Sequence, residues 1–194
     1  MMETHPFAPF IPEKAKLLMV GSFPPPKARW GMDFFYPNPQ NDMWRIYGLA
    51  FFDDKNHFLN ADSSGGDAAK IRAFLSEKGI AIAGVAYKVE RLKGNASDQF
   101  LRIVETVDLS ALLAKVPHCH SIMTTGGKAT DTLCELLPEN TRKPTLQKPG
   151  QTQVNNRKLN LYRLPSTSRA YPKPLAEKAA IYAKFFREVG VLSG

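Results

Sequence analysis

Four short apolar runs along the chain predict four buried β-strands. The first run, KLLMVG, begins with a lysine and ends in glycine. Continuous apolar runs of this length are typical of strands that are covered on both faces. The last run follows an Asn-Asn pair, which predicts a hairpin turn before it. The predicted strands are Lys16–Gly21, Ile80–Val85, His120–Thr124 and Leu159–Leu164, the last being the second arm of a hairpin over Val154–Leu164.

Segments with helical spacing separate these runs. In one of them Ile71, Phe74 and Leu75 fall on a single face, and in another Asn38-Pro39 predicts an N-cap followed by the first helical turn. Apolar residues also recur at helical spacing near the end of the chain. The predicted helices are Pro39–Gly48, Asp67–Lys78, Leu109–Val116, Lys128–Leu137 and Pro172–Val189.

The alternation of strands and helices determines the predicted architecture. Right-handed crossovers between such elements produce a parallel sheet with helices on both faces. We therefore predict one domain over residues 1–194, an α/β three-layer α/β/α sandwich around a central, mainly parallel four-stranded sheet. The loops that leave the carboxyl ends of parallel strands meet at one edge of the sheet, where open α/β folds bind their ligands.

Composition and charge narrow the class of protein. Of the 194 residues 43% are hydrophobic and 23% charged, values typical of a soluble globular protein. The chain lacks an apolar run of membrane-spanning length, and residues 1–16 lack the apolar core of a secretory signal, so a cytoplasmic protein is expected. Cys119 and Cys134 are not in a metal-binding spacing, so neither a metal site nor another cofactor is predicted. The net charge of +8 favours a polyanionic partner.

Three segments carry the most specific signal in the chain. The first segment is Gly21–Pro25 (GSFPP), the second is Tyr36–Trp44 (YPNPQNDMW) and the third is Leu164–Pro172 (LPSTSRAYP). The first and third follow predicted strands and the second opens a predicted helix, so they are expected to meet at the carboxyl edge of the sheet. In this order they resemble the uracil-DNA glycosylase superfamily, and within it the hypoxanthine (deoxyinosine) and mismatch-specific branches.

The resemblance implies an enzyme that hydrolyses the N-glycosidic bond of a deaminated base, hypoxanthine or uracil, in a lesion-containing DNA duplex. Such an enzyme acts in base excision repair as a monomer. The three segments hold no well-placed lysine nucleophile, so a monofunctional glycosylase without Schiff-base chemistry is expected. Many relatives have a water-activating residue at the position of Phe23 and a polar one at that of Leu164. These departures leave a catalytically silent DNA-binding module as the alternative.

Asn41 is the predicted catalytic residue. The resemblance to the hypoxanthine branch places a water-positioning asparagine there, and glycosidic cleavage requires alignment of a weak nucleophile more than a strong base. An amide oxygen orients water at any pH, whereas DNA phosphates repel a carboxylate. Capping of the helix is the structural alternative for Asn41 and the main role expected of Asn38. Asp33 and Asp42 stay open as alternative bases.

The resemblance also supplies candidate base and DNA contacts. Tyr36 matches the position of an aromatic ring that stacks on the extruded base, and base flipping costs a few kcal/mol that stacking partly recovers. Core packing is the alternative for its ring. The third segment is expected to enter the minor groove with an arginine that fills the vacated stack. The predicted base contacts are Phe23, Tyr36, Thr125 and Gly126; the predicted DNA contacts are Ser166, Thr167, Ser168, Arg169 and Lys173, with Arg91, Asn95 and Ser97 weaker candidates.

Overall fold

A computed structural model describes residues 1–94 and 98–194 and contains eight strands and five α-helices within them. Asn95 and Ser97 lie outside the described residues. Short 3-10 helices cover Lys27–Arg29 and Asp98–Phe100. In chain order the strands and α-helices are β1 (Met2–Thr4), β2 (Leu17–Gly21), α1 (Met43–Phe52), α2 (Ala68–Lys78), β3 (Ile80–Gly84), β4 (Ala86–Arg91), β5 (Leu101–Thr106), α3 (Leu109–Ala114), β6 (Ser121–Thr125), α4 (Gly127–Glu135), β7 (Gly150–Val154), β8 (Arg157–Leu164) and α5 (Leu175–Glu188).

The central sheet has five strands in the order β3-β2-β6-β8-β7, not the four that the sequence predicts. β3, β2, β6 and β8 are parallel, and β7 is an antiparallel edge strand. The additional strand is the first arm of the hairpin, whose apolar content is too low to mark it as a core strand. Its turn is at Asn155 and Asn156, which have φ angles of 49° and 64°, left-handed values that asparagine tolerates in tight hairpin turns.

Helices cover both faces of this sheet, which makes the molecule a three-layer sandwich. On one face α1, α2 and α5 contribute Tyr47, Phe74 and Phe186 to an aromatic-rich core. On the other face α3 and α4 contribute Leu112 and Leu133 to an aliphatic core. The apolar runs β2 and β3 place alternate residues in the two cores, which explains why their sequences are apolar at every position.

A second, three-stranded antiparallel sheet in the order β1-β4-β5 was not predicted. β4 (AYKVER) and β5 (LRIVET) have one solvent-facing side, so charged residues interrupt their apolar pattern. Only a small cluster lies beneath this sheet, composed of Phe23, Ala86, Val89 and Leu101. The second sheet therefore packs against the loop that follows β2.

The helix boundaries agree with the sequence where a side chain caps the helix and differ where a tertiary contact intervenes. α2 begins after Asp67, whose Oδ1 accepts from the Lys70 N–H at 3.1 Å, as expected. α1 begins at Met43 instead of Pro39, because the Asp42 N–H donates to the Thr167 carbonyl at 2.9 Å. The residues between Asn38 and Asp42 consequently form a turn that faces the third segment.

Candidate functional site

The three segments follow or precede elements that meet at the carboxyl edge of the central sheet. β6 lies between β2 and β8, so the loops after these three strands leave the sheet side by side. The first segment starts at Gly21, the last residue of β2, and the third starts at Leu164, the last residue of β8. The second segment lies between the first and third segments, and its last residues form the start of α1.

Tyr36 contacts Thr125 across this edge. Their hydroxyl oxygens are 3.2 Å apart and share a hydrogen bond, and the half-buried Tyr36 ring also packs edge-on to Trp44 at 6.3 Å. A Cβ at Gly21 would lie 2.6 Å from the Tyr36 hydroxyl, so the glycine makes room for the ring. Tyr36 has a φ of 54°, which is uncommon for an aromatic residue. The structure thus brings the first two segments to the end of β6.

The second and third segments are joined by backbone pairing. Asn41 and Ser168 form an antiparallel β-bridge, and the Asp42 N–H donates to the Thr167 carbonyl. The Asn41 Oδ1 accepts from the Met43 N–H at 3.0 Å, so its amide caps the first turn of α1. A carbonyl oxygen has two lone pairs, and one of them is left for a water or a substrate group. The half-buried side chain of Asn41 therefore caps the helix, and its catalytic role stays a prediction.

Asp42 is the acidic residue where the second and third segments meet, a contact that we call the junction. It is 7% exposed, and its Oδ1 accepts from the Arg45 Nη1 and from the Arg169 Nε, each at 3.2 Å. The Arg169 side chain is 53% exposed, so it is anchored at one end and free to solvent elsewhere. Asp33, the other candidate base, is exposed and lies in a different groove, described below.

The third segment forms a compact loop with internal hydrogen bonds. The Ser166 Oγ accepts from the Ser168 N–H, and the Ser168 Oγ accepts from the Ala170 N–H, both at 3.2 Å. The side chain of Thr167 is buried, so only its carbonyl takes part in the junction. Lys173 lies 3.8 Å from Glu177 at the start of α5. The predicted DNA contacts are therefore together on one loop, with Thr167 facing inward.

Lys178 is also part of the junction, although the sequence did not predict a role for it. It is 1% exposed, its Nζ donates to the Ser168 carbonyl at 2.9 Å, and it lies 5.4 Å from the centre of the Tyr171 ring. Burial lowers the pKa of this lysine, and the Asp42 carboxylate acts in the opposite direction. A lysine on the same helical face as Tyr182 and Phe185 was the signal in the sequence, since that face is otherwise apolar.

Arg163 is a second cation that the sequence analysis missed. Its Nη2 lies 3.4 Å from the position that a Cβ of Gly127 would take, beside the first residue of α4. Its Nε is buried and makes no hydrogen bond within the described part of the chain. Gly126 gives α4 no side-chain cap, and apart from its chain neighbours no residue lies within 4 Å of the position that a Cβ of Gly126 would take. The helix N-terminus and the guanidinium both add positive potential to the carboxyl edge.

Phe23 lies apart from this junction. Its ring is 7% exposed and packs in the small cluster under the second sheet, 5.3 Å from the His5 ring. Its role as a base contact stays a prediction. Arg91, a weaker candidate, is also turned inward: it pairs with Glu3 at 2.7 Å and donates to the Pro24 carbonyl. Leu164 is buried in the aromatic-rich core.

Among the described residues, no group of three or more His, Cys, Asp or Glu side chains is arranged to hold a metal ion. No helix within the described residues is both long enough and apolar enough to cross a membrane.

Comparison with known proteins shows the fold. No protein-family model matches the chain, and neither does any curated protein. Among solved structures, the chain is similar to the solution NMR structure of a protein from Methanosarcina acetivorans that is named as a candidate uracil DNA glycosylase. The TM-score is 0.64 at 21% identity, over 98% of this chain and 99% of that one. The two proteins therefore share the same mixed α/β fold.

Proposed function

We propose that the chain is a monofunctional DNA glycosylase that hydrolyses the bond between deoxyribose and a deaminated base, hypoxanthine or uracil. The observation that carries the proposal is the bridge between Asn41 and Ser168. The bridge supports the proposal because the Asn41 amide, which can orient water, lies beside the loop proposed to hold DNA. The shared fold with a protein named as a candidate uracil DNA glycosylase supports the same class of reaction.

In this proposal Asn41 aligns the attacking water. Departure of the base leaves positive charge on the sugar, so a weak nucleophile suffices if it is held in line. The Asn41 Oδ1 accepts one hydrogen bond from the Met43 N–H and has a second lone pair for the water. The reaction that we propose uses neither a metal nor an organic cofactor.

Tyr36, Thr125 and Gly126 form the proposed base pocket. Stacking on an aromatic ring is worth about 1–3 kcal/mol per base, a large part of the few kcal/mol that flipping costs. The hydrogen bond to Thr125 holds the Tyr36 ring at the edge of the sheet. The open backbone at Gly126 leaves room for the edge of a base.

The third segment is the proposed DNA-contacting loop, acting on duplex DNA as a monomer. The hydroxyls of Ser166 and Ser168 suit phosphate contacts, as does the cation of Lys173, the residue directly after the segment. Thr167 contributes through its backbone. Arg169 extends from this loop into solvent and suits a wedge beside an extruded nucleotide. The Asp42 carboxylate holds the guanidinium until DNA is bound.

A catalytically silent DNA-binding module is the second candidate function. Phe23 and Leu164 favour it, because both positions are polar in many related enzymes and both side chains are buried here in apolar clusters. Such a module would bind a lesion-containing duplex through the same loop and release no base.

Single-turnover base release from duplexes that contain deoxyinosine or deoxyuridine tests the proposal. Asn41→Ala should lower the rate by about two to four orders of magnitude, the range for a positioned catalytic group. Asn38→Ala is the matched control, since the Asn38 Oδ1 likewise caps a local backbone N–H, that of Gln40. Near-normal release by Asn41→Ala together with loss in Asp33→Ala or Asp42→Ala would make a carboxylate the base. Lesion binding without release by the unaltered protein would identify the silent module.

A further inference from the structure

An aromatic groove lies beside β3, outside the candidate site. It is formed by residues 6–10, the region from Lys27 to Phe35, and Arg72 of α2, and its volume is about 520 Å³. This is within the range of roughly 300–1,000 Å³ that ligand pockets span. Tyr36, Asn41 and Ser168 are not part of its lining.

Aromatic rings form the walls of this aromatic groove. Phe7 and Trp30 pack with their ring centres 4.9 Å apart, and Phe10 packs edge-on to Phe34 at 5.5 Å. Phe7, Phe10 and Trp30 are each half-buried, so part of each ring surface faces solvent. The Trp30 Nε1 donates to the Pro25 carbonyl at 2.8 Å, which leaves the indole as a flat surface without an unsatisfied polar group.

Two cations lie on these rings. The Lys27 Nζ is 5.9 Å from the centre of the Trp30 ring, and the Arg72 Cζ is 4.4 Å from that of Phe34. Within the described residues neither cation forms an ion pair, although Asp33 also lines the aromatic groove. The aromatic groove therefore carries two cationic side chains next to its rings, and an anionic ligand can neutralise their charge.

The backbone of the aromatic groove argues against an added peptide strand. Pro6 and Pro9 have no N–H, the Phe7 N–H donates to the His5 Nδ1, and Phe10 exchanges two hydrogen bonds with Ile82. A peptide that binds as an extra strand needs a run of free N–H and C=O groups. What the aromatic groove offers instead is ring surface and positive charge, the combination that proteins use for unstacked bases and their phosphates.

We propose that the aromatic groove binds single-stranded DNA, with a base on the Trp30 ring and a neighbouring phosphate near Lys27 and Arg72. This site is independent of the proposed glycosylase reaction. It would hold an unpaired strand while the carboxyl edge of the sheet is free for a lesion.

Tryptophan fluorescence of the full chain tests this site directly. Trp44 is 3% exposed, so quenching of tryptophan emission by an oligothymidylate of about ten nucleotides reports on Trp30. Trp30→Leu, followed by anisotropy of a labelled oligonucleotide, should weaken binding by about 5- to 150-fold, the equivalent of one lost base stack. Lys27→Met, on an exposed side chain, should lower the log–log salt slope by about 0.7 without altering folding.

The controls separate this site from the candidate active site. Lys184→Met removes an exposed charge from α5 and should leave binding unchanged. The proposal would be overturned if Trp30→Leu and Lys27→Met both bound the oligonucleotide as tightly as the unaltered protein does. Binding lost in Arg169→Ala alone would also overturn it, as would quenching by an acidic peptide but not by the oligonucleotide. The oligonucleotide contains no deaminated base, so these results do not depend on glycosylase activity.

Discussion

Acidification should destabilise the protein through His5. Burial lowers the pKa of His5 from 6.5 to about 4, because its ring lies against Phe23 and Phe35 at 5.3 and 5.5 Å. Its Nδ1 accepts from the Phe7 N–H at 3.1 Å, and a protonated Nδ1 cannot accept that bond. The native state therefore favours the neutral imidazole.

The sign and size of the effect follow from proton linkage. Below pH 6.5 the unfolded chain binds a proton at His5, whereas the folded chain binds this proton only near pH 4. The contribution of His5 to the free energy of unfolding is therefore fully present above pH 6.5 and decreases as the pH falls. The difference between the two pKa values corresponds to about 3 kcal/mol when both states are protonated. At pH 5 the linkage relation gives a loss of about 2 kcal/mol relative to pH 7.5.

Urea unfolding at a series of pH values measures this loss. In His5→Asn the amide oxygen can replace Nδ1 as acceptor and no group titrates, so the decrease between pH 7.5 and pH 5 should shrink by about 2 kcal/mol, whatever the absolute stability. His118→Asn, at an exposed histidine, is the control and should retain the full pH dependence. An identical pH dependence in His5→Asn and the unaltered protein would refute the reasoning.

Two further predictions concern the third segment. Arg169→Ala should weaken binding to a lesion-containing duplex more than binding to undamaged duplex, because a wedge is engaged only when a base has left the stack. Lys184→Ala is the control. Equal weakening on both duplexes would reduce Arg169 to a phosphate contact. Lys178→Met leaves the Ser168 carbonyl without its donor, so it should lower the free energy of unfolding by about 1–3 kcal/mol. Thermal unfolding measures this loss, and Lys178→Arg should restore part of it. An unchanged melting temperature in Lys178→Met would contradict the assigned contact.

The sequence predicted the parts of the fold whose signal is local. The strand Leu17–Gly21 is buried at every position and reads as a continuous apolar run, and Asp67 caps α2 with its own side chain. β4 and β5 were missed because their pairing is with each other and their charged residues face solvent. Their strand character depends on pairing with another segment, which periodicity within one segment does not reveal.

The same limit applies to the candidate site. Asn41 and the third segment were selected from residue pattern and resemblance, and the structure places them in contact through the bridge to Ser168. Lys178 and Arg163 were missed because each acts through a tertiary contact: one lies beneath the Ser168 carbonyl and the other beside the first turn of α4. A charged residue on an otherwise apolar face is the available sequence signal, and it does not identify the partner.

The junction between the second and third segments serves both candidate functions, and this determines which variant discriminates between them. The bridge between Asn41 and Ser168 and the hydrogen bond from Asp42 to Thr167 use backbone atoms, so Asn41→Ala leaves both in place. The variant removes the amide and with it one cap of α1, which is worth about 0.5–2 kcal/mol of stability. Loop position and DNA affinity should therefore survive. A large loss of base release at preserved affinity would then be due to the amide itself, because the loop proposed to hold DNA keeps its position.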